Sequence, residues 1–317
     1  MSVAVVDRET RSIRRTLRAG LGELWRDKAA FLSVVFLLLL VGAAIFAPLI
    51  APHDPTHQSL VDRLRPPAWQ GGGDWSTPLG TDGLGRDVLS RLIYGSRSSL
   101  VVGVAVVVLS AAVGVPLGLV AGYRGGRIDA VIMRAVDVQF AFPGLLIAIT
   151  IIATVGASLT AVIIVLSLTG WMVFARVTRG AALSLSASAY VEAATIVGCR
   201  PRRIVFRHIL PNIASPLLTL AVLEFAHQVL SEAALSYIGL GIQPPSMSWG
   251  LDIAIGQEYI LNAWWLVTFP GIAIAATVLA ANISASWLRV VLDPEQRDKA
   301  SSPALAAEFD LAHSGEP

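Results

Sequence analysis

Residues 138–175 read VQFAFPGLLIAITIIATVGASLTAVIIVLSLTGWMVFA, thirty-eight positions without a charge. At ~1.5 Å per residue, one helix of this length would far exceed a hydrocarbon core of ~30 Å. The segment must fold back, and Gly156-Ala157-Ser158 is the natural turn. It therefore holds two membrane spans. Working outward, Ala29–Ile50 and Ser98–Tyr123 are long and apolar enough to span, and so are Ile213–Tyr237 and Trp264–Leu288. The total is six transmembrane helices: an all-α, polytopic membrane protein with both termini on one side.

Composition agrees. Of 317 residues 55% are hydrophobic and 15% charged, with a mean hydropathy of +0.67; soluble domains carry about 25% charged residues. The N-terminal stretch imitates a signal peptide. However, Ala29–Ile50 exceeds the ~7–15 residues of a signal h-region, and Pro48 and Pro52 stand where small residues would be cleaved. A retained first helix is expected.

The basic residues choose the side. Residues 1–28, 123–137, 176–212 and the tail after Leu288 hold nineteen of the 24 Lys and Arg, and the opposite loops 51–97 and 238–262 hold five. The positive-inside rule places both termini in the cytoplasm, with loop 176–212. Ile13, Leu17, Leu21, Leu24 and Trp25 recur at helical spacing among arginines in the arm 1–28. This reads as an interfacial helix, with a disordered basic arm as the alternative. The tail 291–317 reads as largely disordered. The partner this composition demands is a lipid bilayer; nucleic acid is not expected.

Several chemistries are excluded. The only lysines, Lys28 and Lys299, do not follow glycine, so no phosphate-binding P-loop exists. The single cysteine, Cys199, precludes an internal disulfide. His53 and His57 are four apart, but Pro55 between them prevents a helix from presenting both, and they read as a loop pair rather than a metal site. No catalytic residue, bound cofactor or metal is expected on this chain.

The loop 188–210 carries the strongest positive signal. Ser188–Val197 has helical composition with Gly198 as the residue after its C-cap; Pro201 suits the first turn of a second short helix running to His208, and Pro211 should break it. Two short helices across a glycine hinge form a knob. Arg200, Arg202, Arg203 and Arg207 can meet lipid phosphates or acidic residues of a partner.

Glu192-Ala193-Ala194, then Gly198 and Ile209-Leu210-Pro211-Asn212, resembles the Glu-Ala-Ala motif of ABC importer permeases. Where the general pattern has an isoleucine two residues before the leucine, this chain has His208; Arg207-His208-Ile209-Leu210-Pro211-Asn212 is similar to the peptide-transporter branch. Leu79-Gly80-Thr81-Asp82-Gly83-Leu84-Gly85-Arg86-Asp87, with Ser90-Arg91 and Tyr94-Gly95, resembles the C-type permease of dipeptide and oligopeptide importers. So do Gly125-Gly126 with Asp129, Arg134, Asp137 and Phe142-Pro143, the run Leu235–Gly241 with Ser248-Trp249-Gly250, and Leu292-Asp293-Pro294 with Arg297. The likeness spans about residues 20–297.

This resemblance implies a type I ABC importer permease fold, with a permease core over 98–290 behind the first helix 29–50 and the extracytoplasmic loop 51–97. It implies that the 188–210 loop, through Glu192, Ala193, Ala194, Gly198 and the four arginines, couples to an ATPase. It implies a homologous second permease, two cytoplasmic ATPases that hold ATP and Mg, and an extracytoplasmic solute-binding protein, in a bacterial cytoplasmic membrane. Transport would proceed by alternating access. Peptides are the expected solute, and nickel, glutathione and glycoside importers share the architecture. A rival of another class is an ion-gradient-driven transporter with Glu224 and Glu232 as proton carriers; a membrane-embedded hydrolase lacks a nucleophile–base pair.

Three further features follow from the residues. Gly114, Gly118 and Gly122 form a small-residue stripe, for core packing or a partner helix. Arg134 and Asp137, three apart, can pair on one helix face. Glu224, Gln228, Ser231 and Glu232 make a polar face on the fifth span with His227 beside it. Ionisable groups in hydrocarbon cost ~2.5–3.5 kcal/mol on insertion scales, so this face should meet water or protein. A solute pathway and a contact with the second permease both satisfy that demand. The cation-free segment 238–262, with Trp249, Trp264 and Trp265, reads as a re-entrant or surface segment anchored by interfacial aromatics. With 51–97 it is the expected landing surface for the binding protein.

Overall fold

The computed structural model describes residues 24, 25 and 27–292. The expected N-terminal interfacial helix and C-terminal tail, and the Leu292-Asp293-Pro294 motif beyond its first residue, lie outside the described residues. The described chain is helical, and its one β feature is an isolated bridge between Thr81 and Asp87.

The helices are α1 (Lys28–Ile45), α2 (Ala47–Ile50), α3 (Val88–Arg124), α4 (Gly126–Phe140), α5 (Gly144–Val155), α6 (Leu159–Ser186), α7 (Ala189–Ile196), α8 (Pro201–Ile204), α9 (Leu210–Tyr237), α10 (Trp249–Gly256) and α11 (Trp265–Leu292). Side-chain caps start four of them. Asp27 accepts from the N–H groups of Ala29 and Ala30, Asp87 from Ser90, Ser158 from Ala161 and Ser248 from Leu251.

Five runs are long and apolar enough to cross a membrane, and α4 with α5 forms a sixth if that pair, bent by 79°, is one span. The bend falls at Ala141-Phe142-Pro143, inside the stretch that dictated the fold-back. Proline cannot donate to the preceding turn, and the residue before it avoids helical geometry. The fold-back itself sits at Gly156, whose φ of +98° is open to glycine without a Cβ penalty.

Span boundaries differ from the hydropathy reading. The second span begins at Val88 rather than Ser98, because Asp87 caps it there and Gly95, Ser96 and Ser99 are buried, Gly95 against Trp249 and Ser99 against Glu232, instead of ending the helix. Pro211 does not break the fifth span. A π-turn over Val205–Ile209 joins α8 to α9, so Pro201–Tyr237 is a continuous rod. Pro211 directly follows this π-turn, where the Leu210 N–H reaches back five residues to the Val205 carbonyl and the regular i→i−4 ladder is already interrupted.

The most extensive helix pair is α3 against α6. The glycine stripe makes it. A Cβ at Gly114 or Gly118 would overlap the carbonyl of Trp171 or Ala175, and one at Gly122 would stand 2.7 Å from the Arg179 carbonyl. Within this chain the stripe is core packing. Polar side chains then pin α4 alongside α6: Arg179 clasps Asp129 at 2.5 and 2.6 Å, Arg176 reaches Asp137 at 2.6 Å, and Trp171 Nε1 donates to Gln139 at 3.0 Å. Asp137 therefore pairs across helices with Arg176; the expected local pair with Arg134 does not form, because the antiparallel neighbour offers a better-placed guanidinium. α9 packs on α3, α6 and α11, and α1 rides on α11 and α3.

Gly118→Val tests the close approach. Overpacking of this kind costs about 1–3 kcal/mol. The variant is expected to lose thermal stability and detergent-extractable yield, whereas the same change at Gly180, whose Cβ direction is open, leaves both near the parent value.

Candidate functional site

Three regions carry polar chemistry: the knob after α6, the middle of α9, and the cap over the ends of α3 and α11.

In the knob, α7 closes as expected. Gly198 adopts φ +81°, and the Cys199 N–H reaches back to the Ala194 carbonyl at 3.0 Å. Its root is apolar: Val191, Ile204, Ile209 and Ile213 pack with Leu119 of α3 and Ala182 of α6. Ala194 and Cys199 lean on the same cluster. Asn212 ties the knob to the rod by donating to the His208 carbonyl at 2.5 Å and to the Tyr190 hydroxyl at 3.4 Å. The tip is open. Glu192, Ala193, Gly198, Arg200, Arg202, Arg203 and Arg207 are exposed, and between them Ile196 and Val197 stand 79% and 83% bare. A rooted, rigid protrusion with an apolar tip and a charged rim is suited to enter a cleft on another protein.

The polar face of α9 divides. Gln228 and Glu232 turn into the chain, 4% and 0% exposed, while His227 is exposed and Ser231 stands beside it. Glu224, near the middle of α9, straddles the two and accepts from Gln228 Nε2 at 3.2 Å. Glu232 is held by hydroxyls: Ser99 donates to one carboxylate oxygen at 3.1 Å and Ser236 to the other at 2.7 Å. Ser236 in turn accepts from the Ile242 N–H, and Ser248 lies 3.4 Å from it. This network joins α3, α9 and the start of α10. The sequence reading grouped Glu232 with the open stripe; its partners lie on other helices and no periodicity could name them.

The glycine-rich motif before α3 folds into a polar cap. Asp82 accepts from the N–H groups of Leu84 and Arg86 and pairs with Arg86 Nε at 2.7 Å. Gly85, at φ +72°, lies against the Ser59 carbonyl so closely that a Cβ is excluded. Arg91 bonds Asp252 of α10 and lies 3.8 Å from Asp82. Burial raises the Asp252 carboxyl from its ordinary value, against the opposing pull of Arg91. The expected interfacial role of the tryptophans is corrected in part. Trp249 and Trp265 are buried, and their Nε1 groups donate to the carbonyls of Leu92 and Thr81. Trp264 is the partly exposed one. Asp252 went unnoticed in the sequence; a lone acid in an apolar eight-residue segment was the available signal. Among the described residues, no three His, Cys, Asp or Glu side chains are grouped to hold a metal ion.

Comparisons with known proteins fit this geometry. Residues 114–298 match the model of the binding-protein-dependent transport system inner membrane component, and residues 18–67 match the N-terminal TM domain of oligopeptide transport permease C. The chain is 41% identical to the di/tripeptide transport system permease protein DppC of Pseudomonas aeruginosa over 284 residues, covering 88% of this chain and 94% of the relative. It is 44% identical to the dipeptide transport system permease protein DppC of Escherichia coli K12 over 279 residues, covering 87% and 93%. An inward-facing structure of the MetNI methionine ABC transporter superposes with a TM-score of 0.54 at 18% identity, covering 63% of this chain and 96% of that one, a likeness of fold. The chain thus belongs to the family of binding-protein-dependent transport system inner membrane components, as a membrane permease subunit of an ABC transporter.

Proposed function

We propose that this chain forms half of the translocation path of an importer for short peptides. The substrate class rests on the relatives, whose names specify di- and tripeptides. It sits in the bacterial cytoplasmic membrane with both termini and the knob facing the cytoplasm; the distribution of arginine supports that orientation. Its partners are a homologous second permease, an extracytoplasmic solute-binding protein and two ATPases, which carry ATP and Mg. The observation that carries the reading is the knob: an exposed apolar tip on a root continuous with a membrane-spanning rod.

The mechanism follows from that continuity. A push on Glu192–Gly198 reaches α8 and, through the π-turn, all of α9. Closure of the ATPases would swing α9 as a rigid body, and the path would open alternately to the two sides. The outward stripe of Glu224, His227 and Ser231 would line this path. Gln228 and Glu232 hold the stripe in place from behind.

Glu192→Ala and Ile196→Asp are expected to cut ATPase co-purification and peptide uptake by about tenfold or more, as loss of a hot-spot contact does, with membrane-inserted amounts unchanged. Retained co-purification overturns the docking role. Uptake abolished by an uncoupler but insensitive to ATP depletion would point instead to an ion-driven carrier.

The two carboxylates of α9 should part company. Glu232→Ala strands the Ser99 and Ser236 hydroxyls, a loss of about 1–3 kcal/mol, and is expected to lower assembly with the second permease. Glu224→Gln keeps the hydrogen-bonding shape and is expected to slow uptake in a normally assembled transporter. Unchanged uptake by Glu224→Gln argues against the path.

A further inference from the structure

The guanidinium of Arg176 has open positions. On the same helix Arg179 is clasped twice by Asp129, at 2.5 and 2.6 Å. Arg176 is held by one bond, from Nη2 to Asp137 Oδ1 at 2.6 Å, and half of its side chain is exposed. Among the described residues its Nε and Nη1 meet no acceptor. Its Cζ lies 4.3 Å from the centre of the Phe140 ring. A guanidinium stacked on an aromatic face holds its plane and turns its edge outward, the arrangement that receives a carboxylate through parallel hydrogen bonds.

Glu224 presents the complementary charge. Gln228 Nε2 donates to its Oε2 at 3.2 Å, and among the described residues it forms no ion pair. A carboxylate on a membrane-spanning helix with no cation beside it is costly and marks a functional position by default.

The two charges stand at one depth. A Cβ on Gly170 of α6 would lie 3.6 Å from Gln228 Nε2 of α9. The two helices run in opposite senses. Arg176, six residues after Gly170, and Glu224, four before Gln228, therefore lie ~9 and ~6 Å from that contact toward the knob. They also border one open face. Viewed down α6 at about 100° per residue, Gly170 on the α9 side and Arg179 on the α4 side are opposite. Ala175, Thr178 and Ala182 fall on one half between them, under α3. Arg176, Val177 and Gly180 fall on the other half, and all three are exposed. The result is a trough with an apolar floor, a cation beside α4 and an anion on α9. A short peptide carries the matching pair, an ammonium and a carboxylate, ~7 Å apart across two extended residues.

We propose that this trough is a zwitterion site at the inner end of the path, where Arg176 receives the carboxylate of a short peptide and Glu224 its ammonium. The site rests on the reading of the α9 stripe as path lining. It makes the permease, and not only its binding protein, selective for peptides with both ends free.

The test uses the assembled permease–ATPase complex in detergent, with the binding protein left out so that its own selectivity does not enter. Melting temperature is followed during titration with glycylglycine, N-acetylglycylglycine and glycylglycinamide. Glycylglycine is expected to stabilise saturably. The acetylated probe lacks the ammonium and the amide lacks the carboxylate, and each is expected to bind about tenfold more weakly, the loss of one charge-assisted contact. The variants should cross: Arg176→Gln removes the penalty for the amide and keeps that for acetylation, and Glu224→Gln does the reverse. Asp137→Asn frees the guanidinium and is expected to tighten glycylglycine by up to about fivefold, the worth of an exposed ion pair; a merely structural pair would weaken it. Val177→Cys in a Cys199→Ser background separates the two readings. Labelling by a charged thiol reagent, slowed by glycylglycine, supports the site. No labelling means that the trough faces detergent or a partner subunit, and takes the path reading down with the proposal. Labelling without a saturable peptide response, or with variants that do not cross, leaves the path standing and overturns the proposal.

Discussion

Everything in this permease hangs on how closely α3 and α6 approach each other. Lipid offers no hydrophobic reward for bringing two apolar helices together, so packing and polar contacts must do it. Gly114, Gly118 and Gly122 remove the side chains that would hold the backbones apart. The polar partners on α4 then exploit a fixed surface: Asp129, Asp137 and Gln139 meet α6 at Arg179, Arg176 and Trp171. Were α6 displaced by the width of a methyl group, these contacts would be lost, and with them the support of the bent α4–α5 pair.

The same frame holds the two ends. At one end Leu119 and Ala182, from the α3–α6 pair, form the floor on which the knob is rooted. At the other, Asp87, Arg91 and Leu92 at the start of α3 bind Ser90, Asp252 and Trp249. Between them Ser99 reaches the carboxylate of Glu232 on α9. The chain is tied along its length by a few buried polar bonds, each of which is worth more where water is scarce.

Much of this was legible. The uncharged stretch 138–175 demanded a turn, and Gly156 supplied it. The spacing of Glu192 to Gly198 announced a short helix and its stop. The glycine stripe announced a close approach, though not which helix would make it. What stayed hidden depends on long-range partners. Hydropathy averages over a window and cannot see that Arg91 and Ser99 are buried against Asp252 and Glu232 of other helices, so it began α3 ten residues late. A helical wheel grouped Glu224, Gln228 and Glu232 as one face; only the neighbours of α9 reveal that two of them look inward. Pro211 was read as a stop because sequence rules describe prolines inside helices, and this one falls just after a π-turn. For the candidate site, the knob was readable because its signals are local, and the polar cap was not, because Arg91 meets Asp252 from a distant part of the chain.

The joint between the knob and the fifth span has an evolutionary corollary. From Pro201 to Tyr237 the chain is one helical shaft, widened by a single turn at Val205–Ile209. Each residue added to or removed from such a shaft turns everything beyond it by about 100°. An insertion anywhere between Arg207 and Glu224 would leave both ends intact and point the acidic stripe at the wrong neighbour. Beyond Ile209, Asn212 and Ile213, which root the knob, exposed side chains such as Leu218 can change more readily than the number of residues in this interval.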